Sequence, residues 1–290
     1  MMRARRRTAP ERPEAGVPMA DSPEAEAETP AAEAPAAEAP APDSPEAATP
    51  TLVWERPEPR SRPKPSLLSR DRIVRAAVEL ADAGGLDAVS LREVAAALDT
   101  GPVRLYRYLS TEEELLDLMV DAVYGEIIAP EPSAGPASPG GDWRRDLRSH
   151  AHRSRVAALR HEWFADLLGG RPHLGPNALA DFEASLAALR RAPGFEGIDT
   201  VLAAVDAVDA YLVGAVRKEV AEARAERTTG PDEQQWQAAA GPYIGRMLAT
   251  GRYPTLSEAV VDAAARDADT VFDTGLTYVL DGIAARLSAP

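Results

Sequence analysis

Two arginines and two tyrosines fall within five residues, Arg104, Tyr106, Arg107 and Tyr108, and their types and spacing could do chemistry. A guanidinium can pair bidentately with a guanine edge in the major groove of DNA, and a tyrosine hydroxyl can reach a phosphate. Leu105 and Leu109 stand one helical turn apart in the same run, so on a helix they face inward and leave Arg104, Arg107 and the tyrosine hydroxyls outside. Taken singly, each arginine reads more readily as a solvated surface residue than as a base reader, and it is the ordered combination that reverses this. Other reactive groups are scarce. The chain has no cysteine, which removes thiolate nucleophiles, disulfides and thiolate metal sites. His150 and His152 are two apart, on different faces of a helix, and read as solvated rather than as a metal pair. No phosphate-cradling Gly-Lys-Ser/Thr loop and no nucleophile elbow occurs. An enzyme is not expected, nor a cofactor or a metal.

The elements around Arg104 explain how such a face could be held. Ser90 followed by Glu93, and Thr111 followed by Glu114, are capping boxes that start helices. Between them Leu91, Val94, Ala95 and Leu98 recur at helical spacing and the run stops at Asp99-Thr100-Gly101. There the glycine can take the turn conformation, and Pro102 suits a first helical turn. Leu115, Leu116, Leu118, Met119, Val120 and Val123 give a longer helix behind. Upstream, Ser69–Ala83 carries Ile73, Val74, Ala77, Val78, Leu80 and Ala81 on one side and stops at Gly84-Gly85. Three short helices therefore form a helix-turn-helix unit.

This segment, with its Leu105-Tyr106-Arg107-Tyr108 run, resembles the DNA-binding domain of the TetR family of transcriptional regulators, from Ser69 to Val123. The resemblance implies DNA contact at Arg92, Thr100, Pro102, Val103, Arg104 and Tyr106, with Arg107 and Tyr108 beside them. Tyr106 and Tyr108 would then touch phosphates and Arg104 a base edge.

Net charge is −14, which by itself argues against a nucleic-acid partner. Its distribution says otherwise, because Arg56–Arg75 holds seven basic residues against two acidic ones. A basic arm, residues 51–68, thus precedes the head, 69–128, and Trp54 beside Leu52 and Val53 could anchor it on the folded domain. Residues 1–50 are an Ala/Pro/Glu alternation that cannot bury enough apolar surface to offset its ordering entropy, and disorder is expected there. A solvated tail, an electrostatic brake on the basic arm and a start at Met19 are its three readings. No apolar run approaches the ~20 residues of a membrane span. A cytoplasmic protein with no membrane partner is expected.

From 142 to 290 the pattern is all-α. Helical runs are expected at Asp142–Arg160, Glu162–Leu168, Asn177–Arg191, Ile198–Glu226, Asp232–Thr250 and Ser257–Leu287, after a Pro/Gly-rich loop at Ala129–Gly141. Two of these runs resemble the ligand-binding and dimerising domain of the tetracycline-repressor-like branch. Val201, Val205, Val208 and Leu212 form one stripe, and Val271, Phe272, Gly275, Leu276, Val279 and Ile283 another. By pattern both read equally as intrachain core or as a homodimer interface, and the resemblance favours an intersubunit four-helix bundle. Bulky residues on several helices, Trp163, Phe164, Leu167, Leu168, Phe182, Tyr211, Trp236, Tyr243 and Met247, could line an effector pocket or fill a core, with His161, Asn177 and Tyr211 for polar contacts. Tetracycline repressors hold their drug as a magnesium chelate. Here Leu167, Gly170 and Lys218 stand at the ligating positions, so the resemblance does not extend to magnesium or tetracycline. The expectation is a homodimeric regulator, a repressor, that binds a palindromic double-stranded DNA operator and is released by a small-molecule effector. Its alternatives are a DNA-binding regulator with a vestigial pocket or an activator's polarity, and an all-α small-molecule binder or enzyme that no longer reads DNA.

Overall fold

A computed structural model describes residues 52–59, 68–128, 142–230, 233–264 and 266–287. The expected tail, most of the basic arm and the loop at 129–141 lie outside these residues. Within them every regular element is helical. Helices α1 (Arg70–Gly84), α2 (Leu91–Ala97) and α3 (Pro102–Leu105) form the head, and α4 (Glu112–Ile128) carries it into the body. The body consists of α5 (Trp143–Arg160), α6 (Glu162–Leu167), α7 (Pro176–Arg190), α8 (Ile198–Thr229), α9 (Glu233–Leu248), α10 (Pro254–Asp262) and α11 (Ala268–Leu287).

Capping sets the starts. The Ser69 hydroxyl accepts from the Arg72 amide at 3.2 Å, and that of Ser90 from the Glu93 amide at 3.1 Å. One apolar core runs from Leu68 through the head to Leu280, with α4 packed on α1 and α7, and α8 on α5 and α11. Head and body therefore share buried surface. Among the described residues no helix is long and apolar enough to cross a membrane.

Two expectations change. The run expected as one helix over Ser257–Leu287 is two, because the Asp267 carboxylate accepts from the Thr270 amide at 2.7 Å and starts α11 anew. An alanine-rich stretch hides that cap. In the helix-turn-helix, Asp99 rather than Gly101 takes the left-handed conformation, at φ 49°, while Gly101 is extended and N-caps α3. A short polar side chain tolerates that region better than most.

Candidate nucleic-acid interface and effector region

Helix α3 is a single turn, held from both sides. Leu105 and Leu109 are buried, as their spacing requires, and Pro102 occupies the first position of the helix. Val103 is 80% exposed and Tyr106 57%, and Arg104 and Arg107 are exposed beside them. Arg104 donates to the Thr100 hydroxyl one turn back at 3.2 Å, so its guanidinium is steadied along the outer face. Arg92 projects from α2 with its side chain 87% exposed.

Tyr108 corrects the expectation of an outward hydroxyl. Its side chain is buried and donates to the Leu68 carbonyl at 3.0 Å, tying the end of the reading turn to the start of α1. Helical spacing itself places it there, because Tyr108 follows Leu105 by three residues and its amide donates to the Leu105 carbonyl at 2.8 Å, so it shares the inner face with Leu105 and Leu109. The acidic triplet after Thr111 is structural too. Glu112 accepts from the Leu91 amide at 3.2 Å, Thr111 accepts from the Glu114 amide at 3.2 Å, and Glu114 accepts from the Ser110 amide at 2.6 Å. The bond from its own backbone, and then Thr111, hold the exposed Glu113 carboxyl below its usual range.

In the body the residues expected to line a pocket do not converge. Trp163, Phe164 and Leu168 are buried core, with Leu167 packed against it. Phe182, Trp236 and Tyr243 are exposed, and Met247 is half-buried on α9. The polar candidates are engaged within the chain. His161, 2% exposed, stands with Nδ1 2.8 Å from Asp82 and Nε2 3.3 Å from Glu126, and the Trp163 indole donates to the same Asp82 oxygen at 2.7 Å. Asn177 donates from its amide and side chain to buried Asp121, at 2.9 and 3.1 Å, and the Ala178 amide adds a bond at 2.9 Å. A carboxylate of α4 thus caps α7, whose own N-cap Gly175 has no side chain to offer and no room for one against Asp121. Burial pushes the Asp121 carboxyl up, against the bonds from Ala178 and Asn177. Tyr211 donates to the Phe272 carbonyl at 2.7 Å. His161 and Asn177 do line a cleft of about 640 Å³ between α1, α4 and Trp54.

A different polar group converges where α4, α5, α7 and α8 meet. His150 Nδ1 lies 3.2 Å from Asp181, both about a tenth exposed. Burial pushes the nearby Asp209 carboxyl up to about 6; His150 pulls it down, while Asp181 and Asp206 push it further up. Tyr124, packed edge-on to Phe164 at 5.4 Å, has its phenol pushed up by burial and then by Asp181 and Asp209. His150 is therefore a largely enclosed partner of Asp181, not a solvated residue. Its role is hidden in the sequence because Asp181 and Asp209 come from helices whose packing no local pattern states.

The two apolar stripes also need correction. Val201, Val205, Val208, Leu212, Phe272 and Leu276 are buried within one chain, and Val279 and Ile283 pack against them. They have little surface left for a partner. Gly275 faces Tyr211 of its own chain so closely that a Cβ would stand 2.5 Å from the hydroxyl. Val271, at 42%, is the exposed member.

Comparisons with known proteins agree with the head and the body alike. Residues 73–119 match the family of bacterial regulatory proteins called tetR, and residues 135–287 match the tetracyclin repressor-like C-terminal domain. The HTH-type transcriptional repressor DrrR1 of Streptomyces coeruleorubidus is 39% identical over 239 residues, covering 82% of this chain and 85% of its own. An HTH-type transcriptional regulator of Saccharopolyspora erythraea is 39% identical over 236 residues, covering 81% and 92%. Among solved structures, ActR of Streptomyces coelicolor in complex with actinorhodin is similar with a TM-score of 0.60 at 27% identity, covering 75% of this chain and 96% of that one. The chain belongs to the TetR family of bacterial transcriptional regulators.

Proposed function

We propose that the protein binds a palindromic operator as a homodimer, reads each half-site through the outer face of α3, and leaves when an effector occupies its body. The observation that carries this reading is the outer face itself: Val103, Arg104, Tyr106 and Arg107 are exposed on a turn whose other side, Leu105 and Leu109, is fully buried. Arg104 is assigned to a base edge, Tyr106 and Arg107 to phosphates, and Arg92, Thr100 and Pro102 to the flanks of the contact. Two heads one groove turn apart would fit a two-fold operator.

The dimer surface moves to the faces of α8 and α11 that the chain leaves exposed. Ala203, Ala207, Ala210 and Gly214 share one face of α8, and Val271, Tyr278 and Gly282 share one face of α11. Small residues there would let two helix pairs approach closely. For the effector, the polar convergence of Tyr124, His150, Asp181 and Asp209 is the better place than the aromatic set expected from sequence. Actinorhodin, bound by ActR, is the first compound to test. It would bias the dimer toward a head spacing that no longer matches the operator.

The decisive experiment selects an operator from genomic fragments and measures binding of Arg104→Ala and Tyr106→Phe to its variants. Arg104→Ala should relax preference at one base position per half-site, by roughly 1–3 kcal/mol per contact, and Tyr106→Phe should weaken all sequences alike. Unchanged affinity and preference for Arg104→Ala would remove α3 from this role. Sedimentation of Ala207→Glu tests the dimer: a protein that stays dimeric at micromolar concentration places the interface elsewhere.

A further inference from the structure

Helix α3 has four residues, too few to hold a helical conformation on its own, so its direction depends on what anchors the turn that follows it. That turn, Tyr106–Ser110, is gripped from outside the helix-turn-helix. Leu52–Glu55 forms a tight turn, with the Glu55 amide donating to the Leu52 carbonyl at 3.0 Å, and it buries Val53 to 2% exposure. Arg56 follows at once. Its guanidinium donates to the Ser110 hydroxyl and to the Glu114 carboxylate, the same carboxylate that accepts from the Ser110 amide. Arg70, at the start of α1, completes the grip: Nη1 donates to the Arg56 carbonyl at 2.7 Å, Nε donates to the Tyr108 carbonyl at 3.1 Å, and its amide donates to Glu58 at 2.8 Å.

We infer that the segment Leu52–Pro59 is a clamp on the reading turn, with Arg56 as a positioning residue that sets how α3 meets DNA while touching no DNA itself. Its sequence suggests the opposite. Arg56 opens a basic run that reads as a nucleic-acid arm, yet its charge faces Glu114 and its side chain is 29% exposed. An arginine committed to a carboxylate and a hydroxyl has little left for a phosphate. Its effect on operator binding must therefore pass through Ser110 and Glu114.

The inference rests on α3 being the reading element, and one assay separates the two. Labelled-operator anisotropy is measured over a salt series for the full-length protein and for Arg56→Ala, Glu114→Ala, the double variant, Arg56→Lys and Arg104→Ala. A clamp predicts that Arg56→Ala weakens operator binding roughly tenfold with the slope of log K against log salt unchanged, and that the double variant is no weaker than the worse single one. Arg56→Lys, which keeps the charge opposite Glu114, should recover part of the loss. A slope reduced by about one would make Arg56 a direct phosphate contact, and additive losses or unchanged affinity would also overturn the clamp. If Arg56→Ala fails to fold by circular dichroism, Arg56→Lys and Glu114→Gln, each removing one limb of the grip, carry the same comparison. Should Arg104→Ala be silent, the reading of α3 fails. A loss for Arg104→Ala beside wild-type binding for every Arg56 variant would reject the clamp alone.

Discussion

Cations crowd two parts of this molecule, the reading turn and helix α5, and they are used in opposite ways. On α5 Arg144, Arg148, His152 and Arg155 face α11. Arg144 pairs with Asp281, Arg148 with Asp273 at 3.1 Å and the Thr277 hydroxyl at 2.8 Å, His152 with the same Asp273 at 2.9 Å, and Arg155 with Asp269 at 2.8 Å. Arg155 also forks onto Glu219 of α8, at 2.7 and 2.8 Å, and lies 4.9 Å over the Phe272 ring. On the reading turn Arg104 meets a hydroxyl of its own helix end, and Arg107 stands exposed. Residue type does not separate these two sets. What separates them is whether a carboxylate from another helix stands opposite, and that is a property of packing.

The largest effect should come from breaking the α5 set at its most buried member. Arg155 is 7% exposed, and the two-point bond to Glu219 pushes its already high pKa further up against burial. Arg155→Ala leaves Glu219 partly buried without its partner and opens space beside Phe272. Because Glu219 is itself a quarter exposed, the loss should be about 2–4 kcal/mol, below the upper range for buried pairs. Urea unfolding checks the loss. Operator affinity per folded protein should stay near wild type, and a fall in affinity at full folding would show that the α5 cations serve DNA after all.

A carboxylate lacking such a cation should behave in the reverse sense. Asp209 is held at about 6, against the ordinary 3.8, chiefly by burial, so the fold binds its proton more tightly than the unfolded chain does. Its penalty is absent below about pH 4, grows as pH rises to about 6 and is full above that. Asp209→Asn should therefore stabilise the protein by about 1–3 kcal/mol at pH 7.5, with the gain vanishing below about pH 4. Thermal melting across that range is the measurement. A gain that did not depend on pH would point to packing rather than to charge.

The same division, local signal against packing, decides which features the amino-acid sequence can disclose. The head is legible because its signals are local: Ser69 and Ser90 as caps, Pro102 at a helix start, Leu105 and Leu109 one turn apart. The partner of the Tyr108 hydroxyl escapes, since Leu68 lies 40 residues away. In the body the apolar stripes of α8 and α11 are visible, but a stripe does not state what covers it, and their own chain covers them. The arginine–carboxylate ladder joins residues more than 110 apart on α5 and α11, beyond any periodicity. Aromatic content misleads for a related reason. Trp163 and Phe164 pack inside, while Trp236 and Tyr243 sit exposed on α9, and size alone cannot tell these apart.

The smallest effect sharpens the comparison most, because it tests exposure by itself. Arg160 ends α5 with its side chain 70% exposed and pairs with Glu126, 44% exposed, at 3.2 Å. It is exposed, as are the arginines of the reading turn, but it belongs to the body. An exposed pair of this kind contributes about 0–1 kcal/mol, and a cation in the last turn of a helix adds a few tenths through the macrodipole. Arg160→Ala should therefore shift the melting temperature by no more than about 2 °C and leave both operator affinity and its salt slope as they were. Arg107→Ala, equally mild for the fold, should reduce the slope by about one if Arg107 meets a phosphate. Both variants remove an exposed arginine, and they differ in place. Equal losses of operator binding would mean that the positive field of the whole surface, rather than the turn held after α3, governs DNA recognition.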